Sequence, residues 1–450
     1  MIDMLLSNAA AALQTDYFGK DVRFHGCSTD SRNVKTGEMF IALRGERFNG
    51  HDYIENAKQG GAVAAIVDSE SEPPLPFIPV NNCRDAMGTL AGMWRSKFNI
   101  PVIAITGSNG KTTVKQMVSE ILSLQAPVLA TSGNQNNDIG VPLTLFKIGL
   151  EHNFAVIEMG ANHPGEISYL SNMAGPDVAV ITQCAPAHLE GFGSIDKVAE
   201  AKAEIFDGLS ENGIAVINND DEYADYWKDR TSGVHQITFG LTSDADVVAN
   251  NIKLDADAGR SIFEMILGQD RIQVQLNLPG LHNVQNSLAA AACCLAVNVP
   301  VEIIRKGLEN TCPVKGRLQI KKGLHGACVV DDTYNANPVS LEAAMKLVAQ
   351  RDGCHWLALG DMGELGAGAS DYHFLSGEKA REYGFEKLFA LGRLSEKAVE
   401  GFGNGARHFA DIDALIRQLK MELVNNVTLL VKGSRAMAMD RVVDALTEEG

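Results

Sequence analysis

The sequence predicts an α/β protein of three domains, here placed at 1–82, 83–312 and 313–450. Three observations carry this. Short runs of Val, Ile and Ala alternate with amphipathic stretches for most of the chain, the pattern of buried parallel strands crossed by helices. A glycine turn, "TGSNGKTT" (106–113), joins an apolar run to a helix-like segment. The 450 residues, 45% apolar with 43 glycines and only 6% aromatics, suit a turn-rich chain with several cores.

The first segment mixes strand-like pieces, "GEMFIALRG" and "GAVAAIV", with one helix-like stretch, "DYIENAKQGG". It closes on "SESEPPLPFIPVNN", whose prolines suit a linker or sheet edge. From residue 83 the rhythm is strand, loop, helix: "PVIAITGS" before "GKTTVKQMVSEILSLQ", "NFAVIEMGA" before "GEISYLSNM", "DVAVITQCA" before "SIDKVAEAKAEIFDGL", then "GIAVINND". After residue 235 four strands follow without helices ("HQITFG", "DVVANNIKL", "SIFEMIL", "RIQVQLNLP"), expected as an antiparallel patch, and then two helices at 283–297 and 301–310. "TCPVKGR" marks the second boundary. Beyond it "ACVVDDTY", "CHWLALGD", "EKLFALGR" and "VTLLVKGS" restart the alternation as a Rossmann-like sheet.

A formal net charge of -17 opposes nonspecific binding to nucleic acid or anionic membranes, so neither is an expected partner. An anionic small molecule then needs local donors. None of the eight cysteines forms C-x-x-C, and their apolar neighbours suggest buried, reduced thiols. The first twenty residues carry Asp3 and no base before Lys20, unlike a signal peptide, and the longest apolar run is too short to span a bilayer. A soluble, cytoplasmic monomer is the expectation.

The glycine turn departs from the strict G-x-x-x-x-G-K-[ST] pattern, because Ile105 stands at the first glycine position. The physics survives. Gly107 makes the turn, and the amides of Ser108, Asn109 and Gly110 with the helix N-terminus can face phosphates. Lys111 can neutralise charge, Thr112 can hold magnesium, and Thr113 follows at the helix start.

"AITGSNGKTT" resembles the phosphate loop of the Mur ligases, the ATP-dependent amide-forming enzymes of peptidoglycan precursor synthesis. Further segments share the resemblance in order across nearly the whole chain. "VIEMGANHPGEI" places Glu158 where the family binds magnesium, and "CAPAHLEGFGS" places His188 as a ligand of a second magnesium. "AEAKAEIF" matches the family's K-x-E-I-F stretch, which implies that Lys202 is carbamylated; without the resemblance it reads as a surface lysine. "LPGLHNVQNSLAAAA" puts His282, Asn283 and Asn286 in the nucleotide-base segment. "KGR" gives Arg317 at the hinge, a fixed cation suited to a transferring γ-phosphate. "VVDDTYNANP" brings Asp332 and Tyr334 toward the ATP site on domain closure.

The same motifs separate branches of the family. The D-N-P-R of the branch that adds the third amino acid is absent, and "DDTYNANP" replaces the D-G-A-H-N-P of folate polyglutamate ligases. "YNANP", "GDMGELG" and "KGSRAM" resemble the branch that adds D-alanyl-D-alanine to a UDP-N-acetylmuramoyl-tripeptide. On that resemblance Lys432 and Arg435 face the dipeptide carboxylate, with Asn335 and Asn337 nearby. "STDSRNVKTGEMFIALRGERFNGHDY" resembles the uridine-binding first domain, with Asp30, Ser31 and Arg32 as its D-S-R signature and Arg44, Gly45 and His51 following. The resemblance therefore implies ATP, two magnesium ions and a carbamylated Lys202 as cofactors.

Overall fold

The computed structural model describes residues 1–46, 48–68, 72–186, 189–242 and 244–447. Four sheets organise them. A two-stranded antiparallel ribbon pairs Asp3–Leu5 with Arg23–His25, and a four-stranded parallel sheet runs Cys27–Ser28, Met39–Ile41, Ala64–Val67, Phe77–Pro79. The proline-rich segment thus supplies an edge strand, where a missing N–H is tolerated. Its residues 69–71 lie outside the described set.

The largest sheet has nine strands. Its central strand, Val102–Thr106, lies between Phe154–Glu158 and Val178–Ile181, parallel to both. From it the chain runs to the edge strand Val128–Ala130 and back through Phe154–Glu158, then crosses to build the other side from Val178–Ile181 onward. The order reverses beside Val102–Thr106, and the crevice beyond strand C-termini at such a reversal is where open α/β sheets bind ligands.

One expectation needs correcting. His235–Gly240 is not antiparallel: it follows the helix Ala224–Arg230 and lies parallel to Ile214–Asn218, as a helical crossover dictates. Within this sheet, the antiparallel pairs of the described residues are those among Val247–Asp255, Arg260–Leu267 and Asp270–Leu276, which extend it at one edge.

The last sheet, that of the third domain and called the third sheet for that reason, has six strands in the order Gln319–Lys322, Cys328–Asp332, Val427–Lys432, Cys354–Gly360, Lys387–Leu391, Ala406–Phe409. All pairs are parallel except the first, an edge strand that strand-helix alternation did not reveal.

The core follows the sheets. One face of the nine-stranded sheet (Ala104, Ile157, Ile181) shares a continuous apolar cluster with Ile2, Phe24, Met39 and Ile66 of the first segment. Its other face packs the helices Lys111–Ser123, Leu281–Ala296 and Val301–Asn310. Ala256, at the tip of the hairpin between Val247–Asp255 and Arg260–Leu267, is buried in the cluster of the third sheet. Two other readings are refined by burial. Cys83, Cys293 and Cys294 are buried and none of the eight thiols is paired, but Cys312 is exposed on the connection between sheets. No helix among the described residues is long and apolar enough to cross a membrane.

Candidate active site

Val102–Thr106 ends in the glycine turn, and the turn needs both glycines. Gly107 has φ +145° and a Cβ there would collide with Thr182 Oγ1; Gly110 has φ +83° and a Cβ would meet Asn286 Oδ1. The second contact shows how closely the phosphate loop approaches the helix Leu281–Ala296. Thr182, at the end of the neighbouring strand, braces the loop by donating to the Asn109 carbonyl at 2.5 Å.

The loop opens into a cavity with three walls. Ser108, Asn109, Gly110, Lys111 and Thr113 form the first, His282, Asn283 and Asn286 the second, and Arg317, Asp332, Asn335, Asn337 and Lys432 of the third sheet's region the last. Two hydrogen bonds close the cavity across the domains. Arg317 Nη2 donates to Thr112 Oγ1 at 3.0 Å, and Asn337 Nδ2 donates to Asn109 Oδ1 at 2.7 Å. Tyr334 lies under the Arg317 guanidinium, 4.3 Å from the ring centroid, which fixes the plane of the fork.

Among the described residues, five buried side-chain polar atoms have no hydrogen-bond partner; Asn109 Nδ2 and Arg317 Nε belong to residues of the cavity walls, and Glu158 Oε2 lies at the end of the strand beside the loop's own strand. Buried polar atoms are rarely left unpaired. Two orphaned donors around a cavity fit a polyanion, and an orphaned carboxylate oxygen fits a cation. Lys111 adds to the anion-binding character: its Nζ donates to the Gly107 carbonyl at 2.5 Å. Burial lowers its pKa, with Glu158 pulling the other way and Arg317 adding to the fall.

Glu158 ends its strand 2% exposed, its Oε1 accepting from Asn136 Nδ2 at 2.9 Å and its Oε2 3.4 Å from Lys115 Nζ. Lys115, Asn136 and Thr182 were not singled out from the sequence. The only available signal was that Lys115 follows Lys111 by four residues and so shares its helix face.

Lys202 lies in the last turn of the helix Ile195–Ala203 and is 1% exposed, so it is not a surface lysine. Its Nζ lies 5.8 Å from the Phe192 ring centroid and has no hydrogen bond or ion pair among the described residues. Burial first, and the nearby charge of Lys111 second, bring its pKa down to about 7. His188 lies outside the described residues. His282 falls to about 4 because burial in the cavity wall disfavours its cation, so near neutral pH it is an uncharged hydrogen-bonding group.

In the third sheet, Lys432 and Asp332 are paired in register on adjacent strands, and the structure commits this lysine locally. It is 2% exposed and donates to Asp332 Oδ2 at 2.5 Å and to the Asn335 carbonyl at 2.9 Å. Arg435 remains 71% exposed, 6.0 Å from the Tyr334 ring centroid. Asn337 also caps the helix Pro338–Val348 in a capping box with Ser340.

The first-domain residues do not line this cavity. Asp30 grips Arg32 through both carboxylate oxygens, which lowers its pKa to about 2, and Ser31 lies between them in the turn. Arg44 donates to Asp68 Oδ1 at 2.8 Å, and His51 Nε2 accepts from the Asp68 amide. Gly45 faces the Phe48 ring so closely that a Cβ would clash. His51, Asp68 and Cys83 cluster at ligand-like distances, but Arg44, the Asp68 amide and the Ile66 carbonyl already engage those atoms.

Comparison with known proteins agrees with this geometry. Residues 105–294 match the Mur ligase middle domain, 316–435 the Mur ligase glutamate ligase domain, and 23–95 the Mur ligase family catalytic domain. The chain is 40% identical over 453 residues to UDP-N-acetylmuramoyl-tripeptide--D-alanyl-D-alanine ligase of Escherichia coli (strain K12), covering 100% of each. It is 38% identical over 461 residues to the enzyme of the same name from Haemophilus influenzae, covering 100% of this chain and 99% of that one. A crystal structure of MurF from Acinetobacter baumannii matches with a TM-score of 0.93 at 34% identity, over 99% of this chain and 98% of that one. MurF ligase from Thermotoga maritima in complex with ADP matches with a TM-score of 0.83 at 26% identity, over 94% and 96%.

Proposed function

The chain belongs to the Mur ligase family, and from that premise we propose that it joins D-alanyl-D-alanine to UDP-N-acetylmuramoyl-tripeptide at the expense of ATP. The observation that carries this reading is the three-walled cavity with its orphaned donors, Asn109 Nδ2 and Arg317 Nε, around Lys111. A carboxylate is a poor electrophile. Transfer of the γ-phosphoryl group onto the tripeptide carboxylate gives an acyl phosphate. The dipeptide amine attacks its carbonyl, and ADP and phosphate are released.

In this mechanism the loop amides of Gly107, Asn109 and Gly110 with Lys111 hold the phosphate chain, the Ser108 amide being spent on the Gln183 carbonyl at 2.7 Å, while Arg317, braced on Tyr334, faces the group in transfer. His282, Asn283 and Asn286 offer neutral donors and acceptors to the base. Asp332, Asn335 and Asn337 complete the wall that excludes water from the acyl phosphate. Magnesium, when bound, neutralises phosphate charge. Thr112 and the free oxygen of Glu158 are suited to holding it, with His188 and Lys202 proposed for a second ion.

For Lys202 the proposal is a carbamate. Nζ attacks the carbon of carbon dioxide, an N–C bond forms, and the displaced proton leaves to solvent, turning an amine into a carboxylate. A buried amine with a pKa near 7 supplies the neutral nucleophile that this requires. Arg435, exposed beside Tyr334, is the better candidate for the dipeptide carboxylate; Lys432 acts by orienting Asp332. Asp30, Ser31, Arg32, Arg44, Gly45 and His51 are proposed for the UDP moiety, and 1–82, 83–312 and 313–450 for the three domains. ATP as substrate and eight unpaired thiols support a cytoplasmic setting.

Phosphate release tests the reading. It should require both UDP-muramoyl-tripeptide and D-alanyl-D-alanine, with free D-alanine and diaminopimelate inactive. Equal turnover with diaminopimelate on a dipeptide acceptor would make the chain a tripeptide-forming ligase. Nucleotide binding without turnover for any amine would make it a regulatory module.

A further inference from the structure

Glu158 presents a physical problem that Lys115 solves. The carboxylate is almost wholly buried, and an isolated buried charge is costly. Asn136 satisfies Oε1, but nothing donates a hydrogen bond to Oε2. The neutralising charge is Lys115 Nζ, 3.4 Å away and 6% exposed itself. Lys115 lies one helical turn beyond Lys111, so a single face of the helix Lys111–Ser123 sends one ammonium to the phosphate loop and the next to the carboxylate. The contact is ionic and leaves the Oε2 lone pairs free.

We propose that Lys115 is a counter-charge set beside the metal-facing oxygen of Glu158, where it repels a bare divalent cation. The metal is then accepted together with nucleotide phosphates, whose negative charge offsets the lysine, and poorly without them. This rests on Glu158 being metal-facing, as argued above.

The test is a manganese titration of the full chain, following free Mn2+ by electron paramagnetic resonance with and without ADP. The wild type should bind Mn2+ weakly alone and tightly with ADP. Lys115→Met should strengthen nucleotide-free binding roughly tenfold, the effect of removing one repulsive charge worth about 1.4 kcal/mol. Lys115→Arg should retain the wild-type dependence on ADP. Unchanged nucleotide-free affinity in Lys115→Met overturns the proposal.

Melting temperature provides a second readout if Lys115→Met is unstable. Mn2+ should restore its lost stability, since the cation replaces the missing counter-charge, and should leave Lys115→Arg unmoved. A loss that Mn2+ does not reverse overturns the proposal equally. Glu158→Gln separates the two layers: wild-type binding of Mn2+ with ADP in that variant would remove Glu158 from the metal site, whatever Lys115 does.

Discussion

Replacing Lys202 by Met should make the ligand-free protein more stable, by an amount that depends on pH. The side chain is buried without a hydrogen bond or ion pair among the described residues, and its pKa falls from 10.5 to about 7. At about 1.4 kcal/mol per unit, that fall corresponds to roughly 5 kcal/mol against the charged form in the folded state. Below pH 7 both folded and unfolded chains hold the proton, and the folded chain bears the whole cost. Between 7 and 10.5 the folded chain releases the proton while the unfolded chain keeps it, so wild-type stability rises with pH.

The Met variant lacks this term. Its advantage should approach roughly 5 kcal/mol at pH 6 and shrink to about 2 kcal/mol at pH 9. Urea midpoints measured from pH 6 to 9 in buffer free of carbon dioxide and magnesium would show it. An advantage that stays constant across that range would refute the reasoning, because it would mean Lys202 does not titrate there. Adding bicarbonate and magnesium at pH 8 should stabilise the wild type and leave the Met variant unchanged, since only a lysine can form the carbamate.

Lys202→Ala should be nearly inactive in phosphate release and partly rescued by acetate or formate, whereas Lys202→Arg should be inactive and resist rescue; wild-type turnover in the Arg variant would return Lys202 to a packing role. Lys111→Ala should lose turnover by several kcal/mol in the transition state with an unchanged melting temperature, because the amine faces the loop and not the core. Arg435→Ala should raise the KM for D-alanyl-D-alanine far more than that for ATP, and equal effects on both would move the carboxylate site elsewhere. Asn337→Asp keeps a capping oxygen for the helix Pro338–Val348 but removes the donor to Asn109, so kcat should fall at least several-fold while thermal stability holds. A matching loss of stability would mean the residue acts only as a cap.

What the sequence made legible was local. The phosphate loop could be read because strand, glycine turn and helix are contiguous, and Gly107 and Gly110 have the backbone angles that such a turn demands. The strands of the nine- and six-stranded sheets could be read because burial on both faces leaves continuous apolar runs. Partnering across the fold was not legible. Nothing near Lys432 in sequence announces Asp332, one hundred residues away, yet their pairing removes the lysine from the free cations of the cavity. Lys202 shows the same limit in reverse. Its alternation with Glu200 and Glu204 reads as a solvated helix face, but the helix is short and packs that position inward. His235–Gly240 was misread because its length and composition do not encode direction; the helix before it does.

The contacts across the cavity place an unsatisfied donor beside each cross-domain hydrogen bond. Asn109 spends its acceptor on Asn337 of the third domain and leaves its donor orphaned; Arg317 spends Nη2 on Thr112 and leaves Nε orphaned. Each cross-domain bond therefore holds a second, unsatisfied group at the same spot. Buried donors without partners cost about 1–3 kcal/mol each. A phosphate chain between the walls would supply acceptors for both donors. A nucleotide that satisfies both donors stabilises the arrangement that presents them together. Asp332 and Asn335 line the same cavity, so the wall that meets the phosphate chain also shields its transfer from water.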